Sequence, residues 1–375
     1  MIDSADLTLL IGPGIPVPAP RSVMEALSSI RVTTGVQQAG FQLAFQAGPA
    51  SDVVRMLLPA GYFDPIVSRV IVLVTIRGLP HVLIDGVITH HELTPSNAPG
   101  ASTFTVTGED LTVLMDLVEM PFMRYPAMPE IAQLYAILAK YAVFGIAPVV
   151  VPPIVTALRN PLDGIDTHTG TDLDYIRQHA SRCGYVFYLD PGPLPGTSIA
   201  YFGPDVRVPV PQPALSVNLD EATNVQSLSF SLDGTAKKIT VYTIFDPVTH
   251  KVPIPIPLPN LNLVKPPLGA RPTPPARVEF ADEGGSLEPA EAAKRILGDL
   301  LKSADAISGE GTLDVLDYGR PLRARQLVGV RGAGLAYDGL YYVERVTHEL
   351  KSDSYTQSFS LSRDGLISPT PVVPV

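Results

Sequence analysis

The amino-acid sequence predicts a mainly β protein of the α+β class, with two tandem antiparallel β units and a small α/β insert between them. Residues 85–111 and 338–366 repeat one order of turn, strand, turn and strand, and such self-similarity is typical of a duplicated architecture. Both stretches alternate apolar and polar residues, which is the period of a half-buried strand. Helical spacing of apolar residues between the two stretches indicates the insert.

The two copies align at several positions. The dipeptide Glu-Leu at 92–93 falls on Glu-Leu at 349–350, and after a polar turn Phe104 falls on Phe359. This alignment predicts that the two phenylalanines hold equivalent core positions.

Alternation also separates core from surface within each copy. In the second copy the apolar residues change phase between Val343 and Val346, which predicts a β-bulge near Glu344-Arg345. The core positions predicted from both copies are Phe104, Val106, Leu111, Val346, Phe359 and Leu361.

The chain before the first copy divides into an arm and further strands. Residues 1–28 are rich in proline and are predicted to form an arm that lies on a neighbouring subunit. Alternation predicts strands at 30–34 and 41–45, and the apolar run 67–76 predicts a strand with both faces covered. The first β domain is assigned to 29–108.

The insert is assigned to 109–214. A Thr-x-x-Asp sequence beginning at Thr107 predicts a capped helix, and the same pattern at Thr171 predicts a second helix that stops at Gly184. The apolar segment 131–155 is interrupted by a lysine at its middle and, after it, by closely spaced prolines. It therefore predicts an amphipathic core helix rather than a membrane span.

The second β domain is assigned to 215–366, with a C-terminal tail at 367–375. Residues 246–289 contain eleven prolines, so this stretch favours an extended conformation, cannot pair as a central strand and must run over a surface. We predict a partner-binding arm whose contacts are made by Ile254, Ile256, Leu258, Leu261 and Leu263.

Composition excludes several classes of partner. The net charge of −10 argues against nucleic acid or an anionic membrane as the primary ligand. A single cysteine forbids an intrachain disulfide and fits production in a reducing cytosol. Hydrophobic residues make up 46% of the chain and charged residues only 17%, so we expect extensive subunit interfaces.

No constellation of catalytic, metal-binding or cofactor-binding residues is visible in the sequence. His90 and His91 have no cysteine or carboxylate at a familiar ligand spacing. Gly332 and Gly334 lie between two strands without the lysine of a phosphate loop. We therefore predict no cofactor, no metal and no enzymatic activity.

Several of these motifs resemble phage late control protein D, a family of contractile tail hubs. The similarity lies in the run LRARQLVGVRG at 322–332, in the spacing of Tyr342 and His348, and in the spacing of Tyr355 and Arg363. The helical segment 171–192 is similar to the middle segment of the same family, and the whole is similar to the hub portion of the valine-glycine-repeat spike proteins of type VI secretion.

The resemblance implies a homotrimeric structural hub made in the bacterial cytoplasm and assembled into a baseplate. Each chain would supply two barrel-like tube domains at equivalent places around one ring, and this pseudo-sixfold symmetry would join a hexameric ring of tail tube protein to a trimeric spike. The chain ends soon after Arg363 without a repeat-rich β-helix, so the spike is expected to be a separate protein alongside other baseplate partners.

Two other functions remain open at this stage. One is a cell-wall-degrading enzyme of the same particle, which would need a lytic module. The other is an adaptor that recruits a partner through its proline-rich segment. The sequence does not distinguish a phage tail from a cellular injection system.

Overall fold

The structure is a computed structural model that describes most of the chain. The described residues are 5–36, 38–48, 51–98, 101–126, 128–153, 166–207, 210–245, 253–258, 266–280 and 305–370. Side chains are described for these ranges except at 242–245, 253–258 and 280. Within this part of the chain, no helix is long and apolar enough to cross a membrane.

The first β unit consists of seven strands, one short helix, α1 (Arg21–Ala26), and a π-helical turn at Val53–Leu57. The strands predicted at 30–34, 41–45 and 67–76 are confirmed. The strands are β1 (Ala5–Pro13), β2 (Val17–Pro18), β3 (Leu27–Gly35), β4 (Ala39–Gln46), β5 (Ser68–Ile76), β6 (Leu79–Thr94) and β7 (Thr103–Asp110).

The N-terminal residues are part of this unit, so the prediction of an arm at 1–28 is wrong for the residues described. β1 pairs antiparallel with β5 along its whole length, and Leu9 and Ile11 are buried in the core. The prolines that suggested an arm begin only at Pro13. The residues before them therefore keep their backbone donors and can complete a sheet ladder.

The insert contains two helices and short strands around a core of its own. Helix α3 begins after Thr171, whose hydroxyl accepts from the Asp174 N–H, and ends at the left-handed Gly184, as predicted. The helix predicted from Thr107 is instead a 3₁₀ turn at Leu111–Met115, because β7 continues to Asp110 and Asp110 supplies the cap. The elements are β8 (Arg124–Tyr125), α2 (Glu130–Ala139), β9 (Ile146–Val150), β10 (Asp166–Thr167), α3 (Asp172–Cys183), β11 (Val186–Pro191) and β12 (Ser198–Gly203).

The second β unit holds the remaining strands, the helical turn α4 (Val315–Tyr318) and a 3₁₀ turn at Asp220–Ala222. Its first strands are β13 (Gln212–Ser216), β14 (Ser227–Leu232), β15 (Lys238–Phe245), β16 (Pro253–Leu258), β17 (Arg271–Pro272) and β18 (Arg277–Phe280). Its last strands are β19 (Ile307–Asp314), β20 (Leu327–Arg331), β21 (Gly339–Lys351), β22 (Tyr355–Arg363) and β23 (Gly365–Leu366).

The two β units repeat one strand order. In the first unit, neighbouring strands run β3, β4, β7, β6, β5 and β1; in the second they run β14, β19, β22, β21, β20 and β13. All neighbouring pairs of the first unit are antiparallel, including β5 with β1. The second unit differs only in its last pair, since β13 is parallel to β20. The duplication suggested by the sequence is therefore present in the topology.

A β-bulge occurs on the same strand of each unit. The register of β6 against β7 shifts between Ile88 and His90, and the register of β21 against β22 shifts between Val343 and Arg345. The second shift confirms the bulge predicted near Glu344-Arg345. These shifts give a common reference point for comparing the two units.

The predicted superposition of the copies is wrong in its register. Leu93 lies opposite Phe104, but Leu350 lies opposite Tyr355, and Phe359 lies four residues farther along β22. A superposition that places Glu92-Leu93 on Glu349-Leu350 therefore cannot also place Phe104 on Phe359. The cause is the connection between the strands, which spans 95–102 in the first copy and only 352–354 in the second.

The two units join into one continuous sheet. The C-terminal half of β21 pairs with β3 from Arg345 opposite Gly35 to Lys351 opposite Ser29, and one apolar core cluster draws residues from both units. Among the described strands the large antiparallel sheet stays open, so neither unit forms a closed barrel by itself.

The proline-rich stretch is described only in part. Residues 253–258 form β16, an edge strand paired with β15 in a three-stranded sheet, so they lie in a ladder rather than an unpaired extended arm. Proline at alternate positions leaves the N–H groups of the residues between them for this ladder, which fits an edge strand. Of the predicted contacts, Leu261 and Leu263 lie outside the described residues, as do the side chains of Ile254, Ile256 and Leu258.

Candidate functional site: the polar face of the large sheet

One face of the large sheet is polar across both β units. On eight neighbouring strands, residues directly opposite each other point to the same side of the sheet, and every second residue along each strand does so. The exposed and half-buried polar side chains therefore lie together on this side. We call this surface the polar face. It consists of Ser227, Ser229, Ser231, Ser308, Glu310, Thr312, Thr356, Ser358, Ser360, Arg345, Thr347, Glu349, Arg31, Thr33, Gln42, Gln46, Thr103, Thr105, Thr107, His90, Glu92 and Thr94.

The polar face continues through the junction of the units. At the β21–β3 pairing, the hydroxyl oxygens of Thr33 and Thr347 are 3.1 Å apart and share a hydrogen bond. In the next row, Arg31 Nη2 lies 3.6 Å from Glu349 Oε1. A shallow recess of about 480 Å³ opens over this junction. The junction therefore presents side chains of the same chemistry as the strands on either side of it.

The polar face carries both signs of charge among many neutral hydroxyls and amides. Arg31 lies opposite Glu349 on the adjacent strand, whereas Glu310 lies two strands away from Arg345, across Ser360. The contacts of Lys351 and Arg31 lower the pKa of Glu349, so this carboxylate stays ionised. A surface of this mixture attracts neither a polyanion nor a polycation strongly.

The opposite face forms the core. The side chains predicted as core residues all lie buried there or in the adjoining insert core. Phe104 is fully buried against Phe45 and Phe63, with ring centroids 6.1 and 5.2 Å apart. Val106, Val346, Phe359 and Leu361 belong to the same cluster, whereas Leu111 belongs to the core of the insert.

Ionic contacts fix the insert to the β units. Arg69 on β5 and Asp85 on β6 form a buried ion pair with two contacts of 2.7 Å, and Arg69 also donates to the Phe144 carbonyl at 2.9 Å. Arg325 donates to Asp190 on β11 at 2.6 Å and to the Gly35 carbonyl at 2.7 Å. The insert is thus held against both units by charged hydrogen bonds.

The buried His348 is a structural residue. Its Nδ1 lies 2.8 Å from the Tyr355 hydroxyl and 3.1 Å from Gln357 Nε2. Gln357 in turn pairs with the backbone N–H and carbonyl of Leu322. Burial, together with the nearby Arg323, lowers the pKa of His348 to about 3, so the ring is neutral at ordinary pH and links three segments of core.

The histidines, the cysteine and the acidic residues do not form a metal site among the described residues. No group of three or more His, Cys, Asp or Glu side chains there could hold a metal ion. Cys183 is buried in the core of the insert. His91 packs against the ring of Phe104 at 5.6 Å, while His90 is exposed on the polar face.

Sequence reasoning found the alternation of polar residues within β22 but missed the polar face as a surface. The signal in the sequence was the run of Ser and Thr at every second position in strands such as β14, β7 and β22. Joining these runs required the cross-strand registers, which no local pattern reveals.

Comparison with known proteins finds similarity at the level of the fold. No protein-family profile and no curated protein sequence matches the chain. The tail protein from Neisseria meningitidis MC58 matches with a TM-score of 0.60 at 12% identity, covering 98% of each chain. The prophage MuSo2 43 kDa tail protein from Shewanella oneidensis matches with a TM-score of 0.60 at 15% identity, covering 97% of this chain and 100% of that one.

A type VI secretion protein shares the fold as well. The Escherichia coli c3393 protein, a component of that system with structural similarity to the T4 tail proteins gp27 and gp5, matches with a TM-score of 0.52 at 11% identity. The match covers 92% of this chain and 77% of that one. The predicted resemblance to phage tail proteins is therefore confirmed for the fold over nearly the whole chain.

Proposed function

We propose that this protein is a structural hub of a contractile phage tail or of a phage-like injection system. Three copies form a ring that joins a hexameric tail tube to a trimeric spike, and the protein has no enzymatic activity. The fold shared with phage tail proteins and with a type VI secretion component supports this proposal.

The observation that carries the proposal is the repeated strand order. One chain holds two sheets of the same six-strand order, β3 to β1 and β14 to β13, joined edge to edge by β21 and β3. A trimer of such chains presents six similar sheets. A threefold particle can therefore match the six docking surfaces of a hexameric tube, which neither a single-copy chain nor a monomer provides.

The polar face supports a conduit in this hub. A channel that passes cargo without retaining it needs a wetted wall free of apolar patches and of strong net charge. The polar face has this composition, with hydroxyl and amide side chains and interspersed acidic and basic residues. The tube-like, barrel-like domains expected from the sequence arise in this proposal only when copies assemble, since the sheet of one chain is open.

The partners follow from the geometry of the proposed ring. One rim would contact the tail tube protein and the other a separate spike protein, with the insert and the proline-rich stretch facing other baseplate proteins. The chain would be made in the bacterial cytoplasm and become part of the baseplate. Cargo and rim contacts would then involve different surfaces of one rigid ring.

Light scattering on the full chain at micromolar concentration tests the proposal. We expect the mass of three chains, and we expect electron micrographs of the same sample to show rings with a central channel and sixfold-like end views. A stable monomer over this concentration range, or a dimer, would refute the hub.

A further inference from the structure

Several strand edges of the large sheet have no partner within the described part of the chain, and two of them lie at corresponding places of the two units. One is the outer edge of β14, which ends the sheet and pairs only with β19. The other is the half of β6 beyond its bulge, residues 90–94, which pairs with β7 on one side. Such edges expose backbone N–H and C=O groups and can accept another strand.

The β14 edge has none of the features that normally block pairing. Its sequence is Ser-Leu-Ser-Phe-Ser-Leu, with no charge and no proline, and its register with β19 is regular. Natural edge strands are usually protected by lysine, proline or a bulge. Leu232 at its end is 41% exposed and Leu93 on β6 is 38% exposed, although both share the phase of the core. The β14 edge therefore lacks the usual protection, and at both edges a leucine in the core phase is left exposed.

The chain already contains the contact that would cover both edges. By strand order β14 corresponds to β3, and the free half of β6 corresponds to the half of β21 that pairs with β3. That internal pairing runs over seven residues of each strand, from 29 to 35 and from 345 to 351. In the first unit the equivalent position beside β6 is vacant within the described residues, and in the second unit the equivalent of β3 has its outer edge free.

We propose that β14 of one copy pairs antiparallel with residues 90–94 of a second copy of this chain. The interface deepens the proposed function and rests on it, because it names the strands that would join three copies into the ring. Two different edges meet, so the contact is head-to-tail, and successive copies close a ring when the rotation between them divides a full turn.

The two bulges set the register of this contact. In the first unit, following the cross-strand partners from the bulge of β6 across β7 and β4 leads to Val32 on β3. In the second unit, following them from the bulge of β21 across β22 and β19 leads to Phe230 on β14, which is the equivalent position. Val32 lies opposite His348 on β21. The residue at the same distance beyond the bulge of β6 is Leu93. Leu93 therefore lies opposite Phe230 of the neighbouring copy.

This register keeps both faces of the sheet continuous. Leu93 and Phe230 both take the core phase, since their partners within the chain are Phe104 and Gly309. Glu92 then lies opposite Ser231 on the polar face, in the place that Thr347 and Thr33 hold at the internal junction. A slip by one residue would put apolar side chains on the polar face.

Cysteine pairs test the contact in the full-length protein. The variant Glu92→Cys/Ser231→Cys places two thiols directly opposite each other across the interface, about 5 Å apart at Cβ. A short bifunctional thiol reagent should convert it to covalent dimers and trimers on a denaturing gel. Thr94→Cys/Ser229→Cys is a second pair in the same register and covers the case in which the first variant does not fold.

Matched controls accompany these variants. Thr33→Cys/Thr347→Cys reports the internal junction and should link within one chain without a gain in mass. Glu92→Cys/Ser227→Cys shifts one thiol by four residues, about 13 Å along the strand, and should not link. The native Cys183 is buried, and each single-cysteine variant shows whether it contributes.

The outcomes separate this inference from the proposed function. Covalent trimers from the in-register pairs alone support the contact. A protein that is trimeric by light scattering, yet gives no link at either in-register pair, refutes the strand contact and leaves the hub intact. Linking of the shifted pair instead refutes the register. A protein that stays monomeric at micromolar concentration overturns the hub and this interface together.

Discussion

The ion pair between Arg69 and Asp85 should be one of the most sensitive sites in the molecule. Only 8% of the Arg69 side chain and 1% of the Asp85 side chain is exposed. Arg69 Nε donates to Asp85 Oδ1 and Arg69 Nη2 to Asp85 Oδ2, each at 2.7 Å. Arg69 Nη2 also reaches the carbonyls of Phe144 and Gly196 in the insert. The pair thus connects the first β unit with the insert.

The informative change is Asp85→Asn, which keeps the shape of the side chain and removes its charge. Arg69 cannot lose its proton to compensate, so the variant holds an unpaired buried cation. Removing one partner of a buried pair typically costs about 3–5 kcal/mol in the free energy of unfolding. In the double variant Asp85→Asn/Arg69→Met, the total loss in the free energy of unfolding should be smaller than the sum of the two single losses. The difference, which is the coupling energy, should be about 1–3 kcal/mol.

Urea unfolding measures these values. The chain has no tryptophan and 14 tyrosines, so far-UV circular dichroism and tyrosine fluorescence are the probes, at one fixed protein concentration because assembly shifts apparent stability. Arg31→Met is the control, since Arg31 is 56% exposed in its contact with Glu349 and should cost at most about 1 kcal/mol. A loss below that value for Asp85→Asn, or strict additivity in the double variant, would refute the reasoning.

Three further predictions follow from burial and assembly. Phe104→Ala should cost about 3–5 kcal/mol in the same unfolding assay and Thr105→Ala on the polar face within about 0.5 kcal/mol; equal effects would contradict the assigned faces. Burial lowers the pKa of His348 to about 3, whereas histidine in the unfolded chain titrates near about 6.5. The stability that the neutral ring contributes is therefore complete above about pH 6.5 and declines as the pH falls toward 3. Between about pH 7 and 4, the free energy of unfolding should fall less in His348→Gln than in the unchanged protein, and an equal fall would exclude His348 as the origin. Deleting 246–289 removes β16, β17 and β18, which lie outside the large sheet, so circular dichroism should show the large sheet retained while light scattering shows weaker assembly. Complete particles from the deleted chain would give that stretch another role.

Local patterns in the sequence predicted the elements well where one cause dominated. Helix α3 was predicted at both ends because its cap at Thr171 and its stop at Gly184 are set by short-range chemistry. The strands β3 and β4 were predicted from alternation alone. The strand β1 at the N-terminus was not predicted, because the prediction of an arm relied on the prolines from Pro13 onward. The alternating residues Leu9 and Ile11 before them are the ones that are buried.

The register between strands that are distant in the sequence could not be predicted from the sequence alone. The equivalence of Phe104 and Phe359 was inferred from linear spacing, but the connections of unequal length shift one hairpin against the other. The pairing of β21 with β3 joins residues more than three hundred positions apart, and neither strand carries a local sign of its partner. The polar face could not be assembled without that pairing.

The junction of β21 and β3 determines how the two units can behave in the proposed ring. A flexible linker would let each unit dock on its own and would leave the angle between them free. Here separation would break a ladder that runs from residue 345 to 351 and would open a core cluster shared by both units. Exposing such apolar surface costs about 25 cal/mol for each Å². The angle between the units is therefore fixed before assembly, so the ordering entropy is lost at folding and a ring of three chains can form without adjusting it again.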